Sequence, residues 1–150
     1  MTLPGTIAVV SAYHPPADLG ARLEALLSQV ERVVVVDDGS SSARDLAFSN
    51  DRIELIELPA NRGIAGALNI GIRRAEQLGA TQVLVLDQDS VVPEGYVATC
   101  HADLRDAQDR GLRVAAVVPA TVEGHVISTI GVGDRPLDPI QSGQLLALSA

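Results

Sequence analysis

The sequence lacks the residues that define several common protein classes. Cys100 is the only cysteine among 150 residues, so the chain cannot form an internal disulfide or a cysteine zinc site, and this fits a reducing compartment. No apolar stretch approaches the roughly 20 residues that cross a bilayer. Met1 to Tyr13 lack the basic start and long apolar run of a signal peptide. We expect a cytoplasmic protein without a transmembrane segment, with the inner face of the membrane as its alternative location.

Aromatic residues and lysine are also scarce. Aromatics make up 2% of the chain while 47% of residues are hydrophobic, so the core must consist of Val, Leu, Ile and Ala. The formal net charge is -8, which argues against nucleic acid as a partner. An anionic ligand would therefore need a metal ion, a helix N-terminus or a well-placed arginine. The length favours a single domain.

Apolar runs and helical periodicities alternate along the chain. Buried strands are predicted at Thr6–Ala12, Val33–Val36, Ile53–Leu58, Val83–Leu86 and Val114–Pro119. Helices are predicted from Leu19 to Val30, from Ala43 to Phe48, from Ile64 to Leu78 and from Pro93 to Asp109. A hairpin is expected at 121–129, turning at Glu123-Gly124, and a last apolar run follows at 144–148. The alternation predicts an α/β fold with a mostly parallel sheet flanked by helices.

The fourth strand leads directly into two carboxylates, Asp87 and Asp89. Carboxyl ends of parallel strands are where open α/β sheets bind ligands. An oxygen-rich pair without thiols suits Mg²⁺ or Mn²⁺, with Asp89 as the main ligand and Asp87 beside it. The alternative is that Asp89 or Ser90 only caps the following helix.

Three further loops at the same predicted edge carry residues that could bind a ligand. Asp38 could accept the N–H of a pyrimidine base, or it could cap a turn. Arg62, in a glycine-rich segment that opens a helix, could pair with a phosphate or with one of the acids. Tyr13 could stack on a base or pack against its own loop. No dinucleotide-binding or Walker fingerprint is present.

The other reactive side chains have no clear chemical setting. His14, His101 and His125 have no metal-ligand spacing, and Cys100 is predicted to lie in the core. Neither Asp134 nor Asp138 is assigned as a base.

Taken in order, the four segments resemble the GT-A fold glycosyltransferases of family 2. The resemblance covers about residues 6 to 120 and rests on Ser11-Ala12-Tyr13, Val36-Asp37-Asp38-Gly39-Ser40, the stretch from Asn61 to Gly71, and Leu86-Asp87-Gln88-Asp89-Ser90. The Asp-Gln-Asp-Ser form and Ile140 to Leu146 resemble the bacterial rhamnosyltransferase branch.

The resemblance implies an inverting, metal-dependent transfer from a nucleoside-diphosphate sugar, UDP- or dTDP-linked with dTDP-rhamnose as the specific candidate, to a polysaccharide or glycolipid acceptor. It implies site roles by matching position: Ser11, Tyr13 and Asp38 hold the nucleoside, Arg62 lies by the base or diphosphate, Asp89 and Asp87 hold the metal, and Ser142 and Gly143 line the acceptor side.

One departure from the family pattern concerns the general base. The family carries it on a later acidic motif, and this chain ends before any matching segment. We therefore expect the N-terminal, donor-binding part of a longer glycosyltransferase, which binds nucleotide weakly and transfers little sugar. The alternatives are a non-catalytic binding or assembly module and, less favoured, a sugar-1-phosphate nucleotidyltransferase. The latter would need a glycine-rich basic loop where Tyr13 to Pro16 stand. The sequence does not indicate an oligomeric state.

Overall fold

A computed structural model describes residues 1–46, 48–118 and 143–148, together with the backbone of 121–122 and 125–126. Strands and helices alternate through most of this part of the chain. The strands are β1 (Leu3–Ala12), β2 (Val30–Asp37), β3 (Ile53–Glu57), β4 (Gln82–Asp87), β5 (Ala116–Val117), β6 (Thr121–Val122), β7 (His125–Val126) and β8 (Gln144–Ala147). The helices are α1 (Leu19–Leu26), α2 (Ile64–Gln77) and α3 (Tyr96–Asp109), with a 3-10 turn at Ala43–Leu46.

The main sheet has six strands in the order β3-β2-β1-β4-β8-β5. The first four strands along the chain pair in parallel, as the sequence predicts. The central segments of β1, β2 and β4 are buried because helices cover both faces, which explains why they lack polar alternation, whereas the edge strand β3 is only partly buried. This arrangement confirms the predicted mostly parallel α/β fold.

The helices divide the core between the two faces of the sheet. Helices α1 and α3 cover one face, where Cys100 is buried as predicted. Helix α2 covers the other face and approaches it closely. A Cβ on Gly71 would collide with the side chain of Val9 and would lie 3.1 Å from Val36 Cγ2, so a glycine is needed at this contact.

Two predicted helix boundaries are wrong. The helical periodicity placed Val30 on the face that starts at Leu19. In the structure Val30 is the first residue of β2, and it pairs with Leu3 of the neighbouring strand β1. Helix α3 begins at Tyr96 rather than at Pro93, because Gly95 adopts a left-handed conformation (φ 79°) immediately before it. Both errors lie at element ends, where local pattern constrains the backbone least.

The fifth predicted strand is shorter than expected and pairs differently. Of its described residues only Ala116–Val117 form a strand, and this strand pairs antiparallel with β8 although the alternation predicted parallel pairing. Strand β8 comes from the last apolar run and lies antiparallel beside β4. Strand β8 therefore lies between β4 and β5 in the sheet, which alternation alone did not indicate.

The predicted hairpin is present as the pair β6 and β7. Thr121 pairs with Val126 and Val122 with His125. The turn residues and 127–129 lie outside the described part of the chain, as do Asp134 and Asp138. None of the helices described is both long enough and apolar enough to cross a membrane.

Candidate functional site

The ends of the four parallel strands meet at one edge of the sheet. Ala12 pairs with Asp37, Asp37 pairs with Glu57, and Ser11 pairs with Asp87. These pairs bring the loops after β1, β2, β3 and β4 side by side at the carboxyl edge, where α/β folds bind ligands.

Asp37 is fully buried and organises the loop after β2. Its Oδ1 accepts hydrogen bonds from the Ser40 N–H and hydroxyl, and its Oδ2 accepts one from the Ala43 N–H at 3.0 Å. Burial by itself would raise the pKa of Asp37, but these hydrogen bonds outweigh it and lower the pKa. Asp37 therefore caps this turn, a role that the alternative interpretation of the sequence gave to Asp38.

Asp38 joins two neighbouring loops. Its Oδ1 accepts the backbone N–H of Arg62 at 2.6 Å, and its own N–H donates to the Ala12 carbonyl at 2.8 Å. The side chain is buried, with 3% of the residue exposed. A carboxylate has two acceptor oxygens, so Asp38 can accept further hydrogen bonds besides the one from the Arg62 N–H.

Gly39 allows the loops after β2 and β3 to touch. Its φ is +86°, and a Cβ at this position would lie 2.6 Å from both the Ala60 carbonyl carbon and the Asn61 nitrogen. Only glycine satisfies both conditions. The Asp38–Arg62 contact therefore depends on a backbone approach that any side chain at Gly39 would prevent.

Tyr13 follows β1 at the centre of this edge. The residue is 47% exposed, and its ring meets the His14 ring edge-on, with centroids 4.4 Å apart. The Tyr13 N–H donates to Gln88 Oε1 at 2.8 Å, which ties the β1 loop to the acidic turn. Ser11, half-buried, lies one residue before the end of β1. His14 is exposed, and Gln88 is a contact that motif reasoning missed.

The acidic turn after β4 is not a helix cap. Helix α3 begins only at Tyr96, and its N-cap Gly95 has no side-chain hydrogen bond. Instead the Ser90 hydroxyl accepts the Asp87 N–H, and the Ser90 N–H donates to the Asp87 carbonyl. The capping alternative for Asp89 and Ser90 is therefore excluded at α3.

The electrostatics of the turn suit a cation. Burial raises the pKa of Asp87, and the charge of Asp89 raises it further. Asp87 is half-buried whereas Asp89 is exposed. Among the described residues no group of three or more His, Cys, Asp and Glu could hold a metal by itself. Two carboxylates that repel each other, one of them open to solvent, fit Mg²⁺ or Mn²⁺ that also binds substrate phosphates.

Arg62 and the start of α2 lie at the other end of the site. The Arg62 guanidinium is exposed and has no carboxylate partner among the residues described, so the predicted pairing with an acid is not observed. No side chain caps α2 at Gly63, whose N–H bonds to Asn61 Oδ1 instead. Uncapped helix N–H groups beside an exposed arginine form an anion-binding arrangement.

The predicted acceptor side is described only at Gly143. Its N–H donates to the Val85 carbonyl at 2.8 Å, and its carbonyl accepts the Tyr96 hydroxyl at 2.6 Å. Burial, with smaller contributions from Cys100, raises the pKa of Tyr96, which keeps the phenol protonated as a donor. Tyr96 carried no sequence signal. Ser142 lies outside the described residues.

A cavity of about 300 Å³ adjoins the acidic turn on the α1 face of the sheet. Its walls include Leu23, Leu86, Asp87 and Ser90, together with residues just before α3. Neither Asp38 nor Arg62 lines it, so this cavity is distinct from the edge where the four loops meet.

Comparison with known proteins agrees with this geometry. A sequence profile described as "Glycosyl transferase family 2" matches residues 7–119. The chain belongs to glycosyltransferase family 2. The predicted family is thereby confirmed.

Two curated proteins are similar in sequence to this family 2 chain. The dTDP-rhamnosyl transferase RfbF of Shigella flexneri is 34% identical over 108 residues, which cover 69% of this chain and 36% of that protein. The succinoglycan biosynthesis protein ExoO of Rhizobium meliloti (strain 1021) is 36% identical over 96 residues, which cover 60% and 27%. The chain thus spans about a third of the length of the curated relatives it matches.

The fold is shared with a solved structure. S. aureus TarS 1-349 in complex with UDP-GlcNAc superposes with a TM-score of 0.68 at 16% identity, covering 95% of this chain and 45% of TarS 1-349. At that identity the likeness concerns the fold alone, and it confirms the predicted GT-A architecture.

Proposed function

We propose that this family 2 chain binds the donor in a metal-dependent, inverting glycosyl transfer from a nucleoside-diphosphate sugar. The observation that carries the proposal is the hydrogen-bonded convergence of the loops after β1, β2, β3 and β4. In that convergence an acceptor for a base, an exposed arginine and a carboxylate pair lie along one sheet edge.

The nucleoside end of the donor belongs at Tyr13 and Asp38. An ionised carboxylate only accepts hydrogen bonds, so Asp38 favours a base with an N–H, and uracil and thymine both offer N3–H. The half-exposed Tyr13 ring supplies a stacking face. We also assign Ser11, one residue before the end of β1, to the nucleoside end. The name of RfbF includes dTDP, and TarS is solved in complex with UDP-GlcNAc, so each is linked to a nucleotide that carries such a pyrimidine.

The diphosphate belongs between Arg62 and the acidic turn. The exposed guanidinium and the uncapped start of α2 attract the phosphates. Asp89 and Asp87 would hold Mg²⁺ or Mn²⁺ next to them, and such an ion would neutralise the charge that develops on the departing diphosphate. The chain has a net charge of -8, so these local groups are needed to hold an anion.

In an inverting transfer an acceptor hydroxyl attacks the anomeric carbon from the face opposite the diphosphate. The hydroxyl proton passes to a general base, and the nucleoside diphosphate leaves with the bonding electrons. No residue of this chain is assigned as that base, so little transfer by the isolated chain remains a prediction. We propose a polysaccharide or glycolipid hydroxyl as the acceptor, in keeping with the succinoglycan role named for ExoO, with Gly143 and Ser142 on the acceptor side.

Calorimetry of UDP and dTDP binding, with and without Mn²⁺, tests the proposal. We expect Mn²⁺ to strengthen binding in the wild type, and Asp89→Ala to lose on the order of tenfold in affinity and most of the Mn²⁺ effect. Asp51→Ala is the matched control, because Asp51 is an exposed carboxylate just before β3, at the opposite edge of the sheet. Folded wild type that binds neither nucleotide would contradict the proposal and favour a non-catalytic module.

A further inference from the structure

One peptide group in the middle of the site is held from both sides. The carbonyl of Ala12 accepts the Asp38 N–H at 2.8 Å, and the N–H of the same peptide group, on Tyr13, donates to Gln88 Oε1 at 2.8 Å. These contacts join residues far apart in sequence. A peptide group bonded at both ends is polarised by each partner, so the two hydrogen bonds strengthen each other.

This peptide group completes a path across the site. The Arg62 N–H donates to Asp38, Asp38 donates to the Ala12 carbonyl, and Tyr13 donates to Gln88. Gln88 lies between the two carboxylates of the acidic turn. The path therefore runs from the groups proposed for the nucleoside to those proposed for the metal without passing through any ligand.

The Gln88 side chain is the single link in that path that a substitution can remove cleanly. The Asp38–Ala12 bond is between backbone atoms, and the Asp38 side chain would itself contact the base. Gln88 is half-buried, and its amide makes the contact from a turn in which Asp89 is exposed. Loss of this acceptor leaves both carboxylates and the β1 loop in place, and it removes the side-chain hydrogen bond that joins the turn to the Tyr13 N–H.

We propose that Gln88 is a positioning residue, which couples binding of the divalent cation to binding of the nucleoside. The inference rests on the proposed function and deepens it. A cation drawn to Asp87 and Asp89 fixes the turn, the turn fixes Gln88, and Gln88 fixes the Tyr13 loop on which the base stacks. Linkage then requires that the nucleoside strengthen cation binding by the same factor.

A nucleoside without phosphates isolates this coupling. Thymidine or uridine cannot ligate a metal through a diphosphate, so any cation effect on its affinity must pass through the protein. We expect saturating Mg²⁺ to lower the Kd of the nucleoside by about fivefold in the wild type, the lower end of usual site–site coupling. NMR titration measures the weak binding directly.

Three variants separate coupling from folding. Gln88→Met keeps the length of the side chain but removes the acceptor, so the Mg²⁺ effect on nucleoside affinity should disappear. Gln88→Glu keeps an acceptor for the Tyr13 N–H and should retain the effect, with its altered Mg²⁺ affinity measured separately. Gln108→Met, an exposed glutamine on α3, is the matched control. Each variant is first shown to be folded by its thermal transition.

The outcomes distinguish this inference from the function on which it rests. Coupling in the wild type and in Gln88→Glu, but not in Gln88→Met, supports the inference. Equal coupling in Gln88→Met, or none in the wild type while UDP or dTDP binds with Mg²⁺, overturns it alone. Absence of diphosphate binding by the wild type overturns the proposed function and this inference together.

Discussion

At the scale of single residues, adjacent acids in one motif have different tasks. Asp37 is fully enclosed and satisfies three donors of its own loop, whereas Asp38 reaches the neighbouring loop. The sequence Asp-Asp-Gly-Ser does not show which acid bonds its own loop and which contacts the neighbouring loop. That assignment depends on which carboxylate faces the loop after β3.

Asp38→Asn tests the acceptor role of the second acid. The amide oxygen can still accept the Arg62 N–H, but the other group becomes an NH₂ donor that opposes the N3–H of a pyrimidine. We expect a loss of about tenfold in UDP or dTDP affinity with an unchanged fold, measured by calorimetry and circular dichroism. Unchanged affinity would show that Asp38 does not contact the base.

Asp87→Asn should stabilise the metal-free protein while weakening metal binding. The pKa of Asp87 is raised above its ordinary value of 3.8, so its contribution to stability falls as pH rises from 3.8 through the raised pKa. We expect a higher Tm than wild type at pH 7 without metal, a difference that vanishes below pH 3.8, and a smaller Tm increase with Mn²⁺ than the wild type shows.

Asp37→Asn is the matched comparison, and its expected change in Tm at pH 7 has the opposite sign. The lowered pKa of Asp37 means that its ionised form stabilises the fold above pH 3.8, and that this stability is lost as pH falls through the lowered pKa. The variant should melt below the wild type at pH 7. Thermal scans of both variants from pH 3 to pH 8 check the two signs, and shifts in the same direction would contradict the account.

At the scale of elements, the contact between the loops after β2 and β3 depends on a close approach of their backbones. Gly39→Ala and Gly111→Ala both place an alanine at positive φ, at a cost of about 1–2 kcal/mol. Only Gly39 has backbone atoms where the Cβ would lie, so its variant must also push the loop after β3 away. We expect Gly39→Ala to lose at least about 1 kcal/mol more in urea unfolding, and to lose nucleotide binding. Equal losses in the two variants would contradict this.

Gly71 on helix α2 offers a similar test of a close backbone approach, away from the residues of the candidate site. Gly71→Ala gains up to about 1 kcal/mol of helix propensity, yet its Cβ would collide with Val9 on β1. Overpacking of a closed core costs about 1–3 kcal/mol. We expect net destabilisation by about 1 kcal/mol in urea unfolding, and a stabilised variant would show that α2 moves off the sheet freely.

The elements differ in how far sequence predicts them. Strands β1 to β4 and helix α2 follow from apolar runs and periodicity, because burial on both faces of a sheet leaves a strong local signal. The placement of β8 between β4 and β5 does not follow, since antiparallel insertion depends on contacts distant in sequence. Val30 was misassigned because a buried valine fits either a helical face or a strand start.

At the scale of the whole molecule, topology determines the site more than any motif does. The sequence predicted that Tyr13, Asp38, Arg62 and Asp89 share one edge, because carboxyl ends of parallel strands meet there. It did not predict the Gln88 contact or the Tyr96–Gly143 bond, since both join side chains to backbone groups with no local pattern.

The most direct test of the shared site is residue-resolved NMR of the labelled chain, titrated with dTDP or UDP in the presence of Mg²⁺. The account predicts that amide shifts concentrate at Tyr13, Asp38 and Arg62, while Asp51 and Thr81 at the opposite edge of the sheet do not move. Shifts confined to that opposite edge, or none at saturating nucleotide, would contradict it.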